Sequence, residues 1–206
     1  MSRMPATTRL PAAQRRRAIV DAAVRMFSSG SYAGTTTAEI AREAGVSEPI
    51  LYRHFRSKRE LWFACLEEAW TQFRAGIEAA VEELGEEHGV AAIGQTGIRL
   101  RRQRVLLPNF WIQGVTEAVD DPEIQKVVRR HMREAHDFVA RVLAGAQQAG
   151  GMPADRDPDA EAWIFIAGGL LVSFAERLGG VLSRDDLARI SHERRRWLLG
   201  RDPDGA

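Results

Sequence analysis

The sequence predicts an all-α protein in which a small N-terminal domain of three helices precedes a larger helical domain. Apolar residues recur at the three- and four-residue spacing of helices along almost the whole chain. No segment alternates apolar and polar residues for long enough to predict a strand. Capping residues and glycine or proline breaks divide the chain into about nine predicted helices.

Start and stop residues mark the first four predicted helices. Thr36 and Glu39 have the spacing of a capping box, in which the threonine hydroxyl bonds the Glu39 amide and the glutamate carboxylate bonds the Thr36 amide. Ser47 and Ser57 are predicted to be the N-caps of the third and fourth helices. The predicted elements are a helix over 13–28 that ends before Gly30, suited to a left-handed cap, a helix over 37–44 that ends at Gly45, a third helix with Pro49 in its first turn, and a long fourth helix from Lys58.

Glycine, proline and charged breaks separate the later helices. A charged segment, 85–89, ends the fourth helix, and Pro108 interrupts the next helical pattern. The predicted spans are 90–106, 109–119, 123–149, 159–178 and 184–199. Residues 202–206 are predicted to be a disordered tail.

The composition favours a protein of the cytoplasm. The longest apolar stretch, residues 162–175, is too short for a transmembrane helix and is broken by Gly168 and Gly169. Residues 1–11 are basic but lack the apolar segment of a secretory signal. The single cysteine, Cys65, excludes an internal disulfide and fits a reducing compartment.

Charge separates the two ends of the chain. The formal net charge is only +1, but residues 1–60 carry 11 lysines and arginines against 5 acidic residues. That segment is therefore at +6 and the remainder at −5. The asymmetry indicates an anionic partner for the N-terminal domain, although a solvated charged surface would also produce it.

Residues 35–61 have the spacing of a helix-turn-helix. The two helices of this motif nearly touch, which requires a small residue, and Ala41 supplies it. Gly45 follows four positions later and accepts the conformation of the turn. The apolar residues that would fix the crossing angle are Ile40, Val46 and Leu51. The third helix is therefore predicted to be a short, exposed rod for the major groove of DNA.

The same segment resembles the N-terminal signature of the TetR family of bacterial repressors. The resemblance rests on the joint spacing of short motifs, namely Ile40-Ala41, Ala44-Gly45-Val46-Ser47, Leu51-Tyr52, His54-Phe55, Ser57-Lys58 and Leu61. It implies a DNA-binding regulator whose C-terminal helical domain binds an effector and pairs two subunits. The expected domains are thus 1–57, the helix-turn-helix with its basic tail, and 58–206, the effector-binding and dimerisation domain.

Two groups of residues are expected to contact DNA. The group that would hold the phosphate backbone comprises Tyr52, His54 and Lys58, which match family positions, with Thr36, Thr37, Ser47, Arg15, Arg16 and Arg17. The group that would read bases comprises Glu48, Pro49, Ile50 and Arg53. We expect Arg53 to bond a guanine, Glu48 to accept from a cytosine amine, and Pro49 or Ile50 to pack on a thymine methyl. The alternative for Tyr52 is simple ring packing, and for His54 an ordinary surface histidine.

A dimer is expected because a single helix-turn-helix contacts too little DNA to be selective. A symmetric pair would place its recognition helices ~34–36 Å apart on a near-palindromic operator. The resemblance implies an interface between the last two helices of each subunit. The candidate residues are Trp163, Gly168, Gly169, Leu171, Val172, Phe174, Leu187, Ile190 and Trp197. The alternative is an ordinary buried core helix.

The resemblance also implies a small-molecule pocket among the middle helices, whose occupancy moves the fourth helix and spoils the DNA spacing. Candidate lining residues are Trp70, Phe73, Phe110, Trp111, Phe138, Trp163 and Phe165, with Gln113, His131 and His136 as polar groups. Because no charged cluster accompanies them, we expect a mostly apolar or aromatic effector. Aromatic residues at helical spacing also build ordinary cores, which is the alternative.

The sequence contains no set of residues typical of an active site. His131 and His136 do not share one helical face, and no third ligand follows at a suitable spacing for a metal. Phosphate-binding, dinucleotide-binding and nucleophile-elbow motifs are absent from the sequence. We therefore expect no enzyme activity, no catalytic residue, no metal and no cofactor.

The expected function is that of a transcriptional repressor, which a small-molecule effector releases from its operator. Repression is expected because it is the common mode of the family. The alternative is a helix-turn-helix DNA-binding protein that is regulated without a small-molecule effector.

Overall fold

Nine α-helices and one short 3₁₀ turn form the part of the chain that the computed structural model describes, residues 11–105 and 107–200, and no strand occurs there. The helices are α1 (Ala12–Ser29), α2 (Thr37–Glu43), α3 (Glu48–His54), α4 (Lys58–Leu84), α5 (Gly89–Arg102), α6 (Leu107–Glu117), α7 (Pro122–Gln148), α8 (Pro158–Leu178) and α9 (Arg184–Leu199). The 3₁₀ turn, Glu86–His88, precedes α5. The predicted all-α class is confirmed. The basic residues of segment 1–10 and the tail 202–206 lie outside the described residues.

The chain divides into two compact units, Met1–Glu68 and Ala69–Ala206. The division falls inside α4 rather than at its start, where we expected the domain boundary. The first turns of α4 belong to the N-terminal unit because their apolar side chains are buried in it. Trp62 packs edge-on against Tyr32, with 6.0 Å between ring centroids.

Local capping signals fix the starts of α2 and α4. The Glu39 amide donates to the Thr36 hydroxyl at 3.2 Å, and the Thr36 amide donates to the Glu39 carboxylate at 3.0 Å. These hydrogen bonds from Thr36 hold the pKa of the Glu39 carboxyl below its ordinary value. At α4, the Glu60 amide donates to the Ser57 hydroxyl at 3.1 Å. Both predicted caps are confirmed.

Gly30 ends α1, but it does so without the left-handed conformation that we expected. Its φ is −110°, and its amide donates to the Met26 carbonyl at 2.8 Å. A Cβ at this position would lie 3.0 Å from both the Met26 carbonyl oxygen and the Thr35 hydroxyl. Glycine is therefore needed here for the close approach of the following loop.

Helix α5 ends at Arg102, four residues before the predicted end at Leu106, which lies outside the described residues. The Val105 amide donates to the Leu100 carbonyl at 2.9 Å, and the Arg104 amide donates to the Arg101 carbonyl at 3.0 Å. This pair of bonds is a Schellman closure, which normally uses glycine at the left-handed position. Here Arg104 occupies it with φ +59°, so the sequence carries no glycine that signals the stop.

Helix α6 begins at Leu107, before the predicted start at Asn109. Pro108 therefore lies in the first turn of α6 instead of interrupting the helical pattern. Proline is tolerated there because the first amides of a helix have no partner within the helix.

Helix α7 is central to the C-terminal unit because one face is apolar along its whole length. It packs against α5, α6 and α8. Its buried apolar residues are Ile124, Val128, Ala135, Phe138, Val139, Leu143 and Ala146. Helix α9 is fastened to α8 by the buried Glu161 carboxylate, which pairs with Arg194 and accepts from the Trp197 indole nitrogen at 2.7 Å.

Replacing Arg104 by glycine is expected to raise the free energy of unfolding. A side chain in the left-handed region costs roughly 1–2 kcal/mol, and the greater freedom of glycine in the unfolded chain cancels only part of that gain. We expect Arg104→Gly to stabilise the protein by ~0.5–1 kcal/mol, measured as a higher midpoint of urea unfolding at an unchanged slope.

Arg102→Gly is the matched control because Arg102 is the last residue of α5 and has helical conformation, so glycine relieves no strain there and lowers stability by at most ~1 kcal/mol. A loss of stability in Arg104→Gly would contradict the backbone strain assigned to this position.

Candidate nucleic-acid interface

The turn between α2 and α3 brings these helices into the helix-turn-helix arrangement. Gly45 has φ +68°, a conformation that favours glycine. The Val46 amide donates to the Ala41 carbonyl at 2.9 Å. Ala41, Ile40 and Leu51 are buried, and Val46 is half-buried. The spacing of these residues predicted this contact correctly.

Helix α3 presents one side to solvent and buries the other. Pro49 and Arg53 are exposed, and Tyr52 is 46% exposed. Ile50, His54 and Glu48 are half-buried. Leu51 and Phe55, on the opposite side, are fully enclosed. Of the residues expected to read bases, Pro49 and Arg53 therefore lie on the accessible side of a helix that its apolar side holds in place, whereas Glu48 and Ile50 are partly covered.

Three of the predicted DNA contacts are bonded to one another. The Thr37 hydroxyl donates to the Glu48 carboxylate at 2.6 Å. The Thr37 and Tyr52 hydroxyl oxygens lie 3.1 Å apart. Thr37 is buried, so this network ties the first residue of α2 to both ends of α3. Sequence spacing carries no signal for this network.

The two N-cap residues behave differently. The Thr36 hydroxyl also donates to the Glu39 carboxylate, at 2.7 Å, so it is committed to the capping box. Ser47 occupies the N-cap of α3, but its side chain makes no capping hydrogen bond. Its carbonyl accepts from the Ile50 amide at 2.9 Å instead. The exposed Ser47 hydroxyl therefore does not cap α3 as we expected.

Two of the three arginines at the start of α1, Arg16 and Arg17, contact neighbouring side chains. The Arg16 guanidinium lies over the Phe55 ring, 4.9 Å from its centroid. Arg17 pairs with Asp21 at 3.1 Å and with Glu68 at 2.9 Å. Arg15 is half-buried, and its Nε has no hydrogen-bond partner within the described part of the chain.

Lys58 contacts the loop between α1 and α2. Its Nζ lies 4.6 Å from the centroid of the Tyr32 ring and donates to the Ala33 carbonyl at 3.4 Å. Lys58 is half-buried. A cation–π contact of this kind leaves part of the ammonium group facing solvent, so a backbone phosphate is compatible with the observed position.

In the C-terminal unit, part of the predicted pocket set forms one aromatic cluster on α4, α6 and α7. Trp70 packs edge-on against His131 and Phe138, with centroid distances of 5.8 and 5.4 Å, and lies 6.1 Å from Phe73. Trp111 packs against His131 at 6.3 Å. Phe110 and Gln113, on the same helix as Trp111, are also buried.

His131 is the polar centre of this aromatic cluster. Its side chain is completely buried, and its Nδ1 accepts from the Trp111 indole nitrogen at 3.3 Å. Indole nitrogen only donates, so Nδ1 is unprotonated and the hydrogen of the neutral ring lies on Nε2. Nε2 has no partner among the described residues. Burial lowers the pKa of His131 to about 4, which keeps the ring neutral.

The other three pocket candidates lie apart from this cluster. His136 stacks on Trp163 with 4.2 Å between centroids, and its Nε2 lies 3.0 Å from the Asp159 carbonyl oxygen. Trp163 is 37% exposed and Phe165 is half-buried. His136 itself is buried, so these residues form a second contact between α7 and α8, and Trp163, at its exposed edge, remains a candidate for the subunit interface.

Helices α8 and α9 expose most of the predicted interface residues. Leu171, Phe174, Ile190 and Trp197 are 45%, 54%, 40% and 50% exposed. Gly168 is exposed as well, whereas Val172 and Leu187 are half-buried. Gly169 packs within its own unit, where an added Cβ would lie 3.3 Å from Pro108. An apolar surface of this kind on a folded unit indicates a protein partner.

A surface groove with a cavity volume of about 360 Å³ follows one stripe of α5, and none of its residues was among the sequence-based candidates. Its lining residues are Gln95, Ile98, Arg99, Arg102 and Gln103. The only sequence signal was the arginine-rich end of this helix. Cations at a helix C-terminus interact favourably with its dipole, which accounts for these arginines without a ligand.

The described residues give little support to thiol chemistry, metal binding or a membrane-spanning role. Burial raises the pKa of the Cys65 thiol well above its usual range, so the thiol stays protonated and unreactive. Within residues 11–105 and 107–200, no group of three or more His, Cys, Asp or Glu side chains is placed to hold a metal ion. Helix α8 meets the length and composition of a membrane span, a test that core helices of other proteins also pass.

Comparison with known proteins gives a family for the N-terminal unit. Residues 19–65 match the model described as bacterial regulatory proteins, tetR family. The transcriptional activator FasR of Mycolicibacterium smegmatis is 40% identical over 73 residues, which cover 35% of this chain and 33% of FasR. The transcriptional regulator BetI of Brucella canis is 24% identical over 133 residues, which cover 63% of this chain and 66% of BetI.

Solved structures extend the likeness of the fold to nearly the whole chain. A TetR regulatory protein from Rhodobacter sphaeroides has a TM-score of 0.73 and 19% identity, covering 90% of this chain and 99% of that one. AibR, solved with isovaleryl coenzyme A and operator DNA, has a TM-score of 0.63 and 22% identity, covering 90% and 98%. The matched proteins are regulators, which agrees with the prediction that the chain is not an enzyme. Residues 19–65 therefore carry a helix-turn-helix of the type found in the TetR family of bacterial regulatory proteins, and the fold of nearly the whole chain resembles that of structures from this family.

Proposed function

We propose that this protein is a cytoplasmic transcriptional repressor that binds a near-palindromic operator as a homodimer and is released by a small, mostly apolar or aromatic effector. The observation that carries the proposal is the exposed side of α3, which its buried Leu51 and Phe55 hold in place. AibR, a structural neighbour solved with isovaleryl coenzyme A and operator DNA, supports the proposal that this fold has a site for a small molecule as well as a site for DNA.

DNA binding rests on the accessible polar groups of the N-terminal unit. Arg53 projects from the exposed side of α3 and is the residue we assign to a guanine. Tyr52, His54 and Lys58 flank it and are assigned to backbone phosphates, as are the arginines of α1. Net charge is positive in residues 1–60, which adds a sequence-independent attraction to DNA.

The central test is the selection of binding sites from random duplex DNA by the purified protein at moderate salt. We expect an enriched near-palindrome with half-sites about one helical turn apart or a multiple of it. No enrichment, both before and after bound ligands are stripped by denaturation and refolding, would overturn the proposed function. A reporter gene under the selected site then separates repression from activation.

Arg53→Ala is expected to relax the preference at one base position of each half-site. A bidentate arginine–guanine contact discriminates by ~1–3 kcal/mol, and this discrimination disappears with the guanidinium. Repeated site selection with the variant measures the loss. Arg56→Ala removes an equal charge from an exposed residue just beyond α3 and is the control. An unchanged base profile in Arg53→Ala would remove this residue from base reading.

The dimer is proposed to form through the exposed apolar side chains of α8 and α9. Leu171→Asp would bury a charge in such an interface, whereas in a monomer it alters an exposed position. We expect this variant to elute as a monomer in light-scattering chromatography while the original chain elutes as a dimer. Val119→Asp is the control, because Val119 is 83% exposed and lies outside both helices. Equal masses for all three proteins would exclude this interface.

The effector is proposed to enter the aromatic cluster around His131. An unpartnered donor in a buried site costs about 1–3 kcal/mol, and a ligand oxygen could satisfy it. We therefore propose an effector with an apolar or aromatic body and a hydrogen-bond acceptor such as a carbonyl or carboxylate. Trp70 lies on α4, which contributes residues to both units, so a change at the cluster can reach the helix-turn-helix along one helix.

Burial of His131 is expected to make the protein less stable in mild acid. The pKa of His131 is lowered from 6.5 to about 4, so between these values the unfolded chain binds a proton that the folded chain does not. The free energy of unfolding therefore falls as the pH falls through this window. Between about pH 7.5 and about pH 5 we expect His131→Gln to lose ~2 kcal/mol less than the original chain in urea unfolding. Equal losses would show that His131 is not buried in the neutral form.

A further inference from the structure

The hydrogen bonds among Thr37, Glu48 and Tyr52 have a definite direction. A carboxylate has no hydrogen to donate, so the hydrogen on the Thr37 hydroxyl, 2.6 Å from the Glu48 oxygen, points to Glu48. The Thr37 hydroxyl has only that one hydrogen to donate. The contact of 3.1 Å between the Thr37 and Tyr52 hydroxyl oxygens must therefore be donated by Tyr52. The chain of donors runs from Tyr52 through Thr37 to Glu48.

Both hydroxyl hydrogens, that of Thr37 and that of Tyr52, are therefore donated to acceptors within the protein. Thr37 and Tyr52 are two of the four hydroxyl residues that we assigned to backbone phosphates. A phosphate is an acceptor, just as a carboxylate is, and needs a hydrogen from each hydroxyl. A phosphate at this place and the Glu48 carboxylate in its observed position would compete for the Thr37 hydrogen and repel each other.

We propose that Glu48 is a specificity-determining residue: in the DNA-free protein it occupies the phosphate-binding hydroxyl of Thr37, and when DNA binds it must exchange this hydroxyl for a base edge. This inference rests on the proposed DNA-binding function. On any duplex, phosphate replaces the carboxylate as the acceptor of the Thr37 hydrogen, and Glu48 turns into the groove. Glu48 is half-buried at the first position of α3, which leaves a path for that rotation.

The exchange weakens binding to most DNA sequences and leaves binding to a few almost unchanged. In the groove a carboxylate can only accept, so it is satisfied where a cytosine or adenine presents an amine, and it is unpaired beside other bases. Glu48 therefore weakens binding to random DNA while binding to the operator is largely retained. Specificity is the difference between the affinity for the operator and the affinity for random DNA. Glu48 acts mainly on the affinity for random DNA.

Glu48→Gln separates this role from a simple fastening of α2 to α3. Glutamine keeps an oxygen that accepts from Thr37, so the fastening survives, but the negative charge is removed. Glu82→Gln is the matched control, since it removes an equal charge from an exposed position on α4. Thermal unfolding of each variant shows whether the fold is retained.

The experiment measures dissociation constants for the selected operator and for a random duplex of equal length at the same salt concentration. We expect Glu48→Gln to bind the random duplex roughly tenfold more tightly and the operator within about threefold of the original chain, so that the specificity ratio falls. Thr37→Val should reduce the gain from Glu48→Gln, because the shared hydroxyl is then absent.

Two results would overturn the proposal while leaving DNA binding intact. One is an equal change of both affinities in Glu48→Gln, as the Glu82→Gln control would also give. The other is weaker binding to both duplexes together with a lower unfolding temperature, which would make Glu48 a structural fastening. Failure of the original chain to bind any duplex is a different result, because it removes the proposed function as well.

Discussion

The contact between α2 and α3 is the constraint on which the N-terminal unit depends. Ala41 allows the two helices to approach, Gly45 turns the chain with φ +68°, and Ile40 and Leu51 are fully buried. Burial of one such aliphatic side chain is worth ~1.5–3 kcal/mol, which is large beside the surface contacts around it. Helix α3 therefore keeps its orientation without DNA. An interface that is organised in advance loses less conformational entropy when it binds.

Several polar groups on this rigid frame already have partners. Thr37 donates to Glu48, Arg17 pairs with Asp21 and Glu68, and Lys58 lies over Tyr32. Binding to DNA is therefore an exchange of partners and does not simply fill vacant donors. Exposed ion pairs contribute little to stability, so the arginine contacts are cheap to exchange. The enclosed Thr37–Glu48 contact is the costlier one, which makes it the natural place for discrimination between DNA sequences.

The C-terminal unit departs from the usual distribution of polar and apolar groups in two places. His131 brings a polar ring into an aromatic cluster, where a buried donor without a partner is uncommon. Phe174 and Trp197 are the reverse case, since large apolar side chains lie at the surface. Both departures cost stability in an isolated subunit. Their positions coincide with the two roles proposed for this unit, ligand binding within and association with a second subunit outside.

Signals that depend on neighbours in the chain were enough to determine the helical fold and the helix-turn-helix. The capping box of Thr36 and Glu39, Gly45, and the apolar spacing of α2 and α3 each involve a few adjacent residues, so they can be recognised in the sequence. The end of α5 could not, because its left-handed position carries Arg104 in place of glycine. Only the tertiary structure decided that Glu48 bonds Thr37, and that His131 is enclosed in the aromatic cluster while His136 is buried against Trp163. Those outcomes depend on which helix faces meet, and the spacing along one helix does not contain that information.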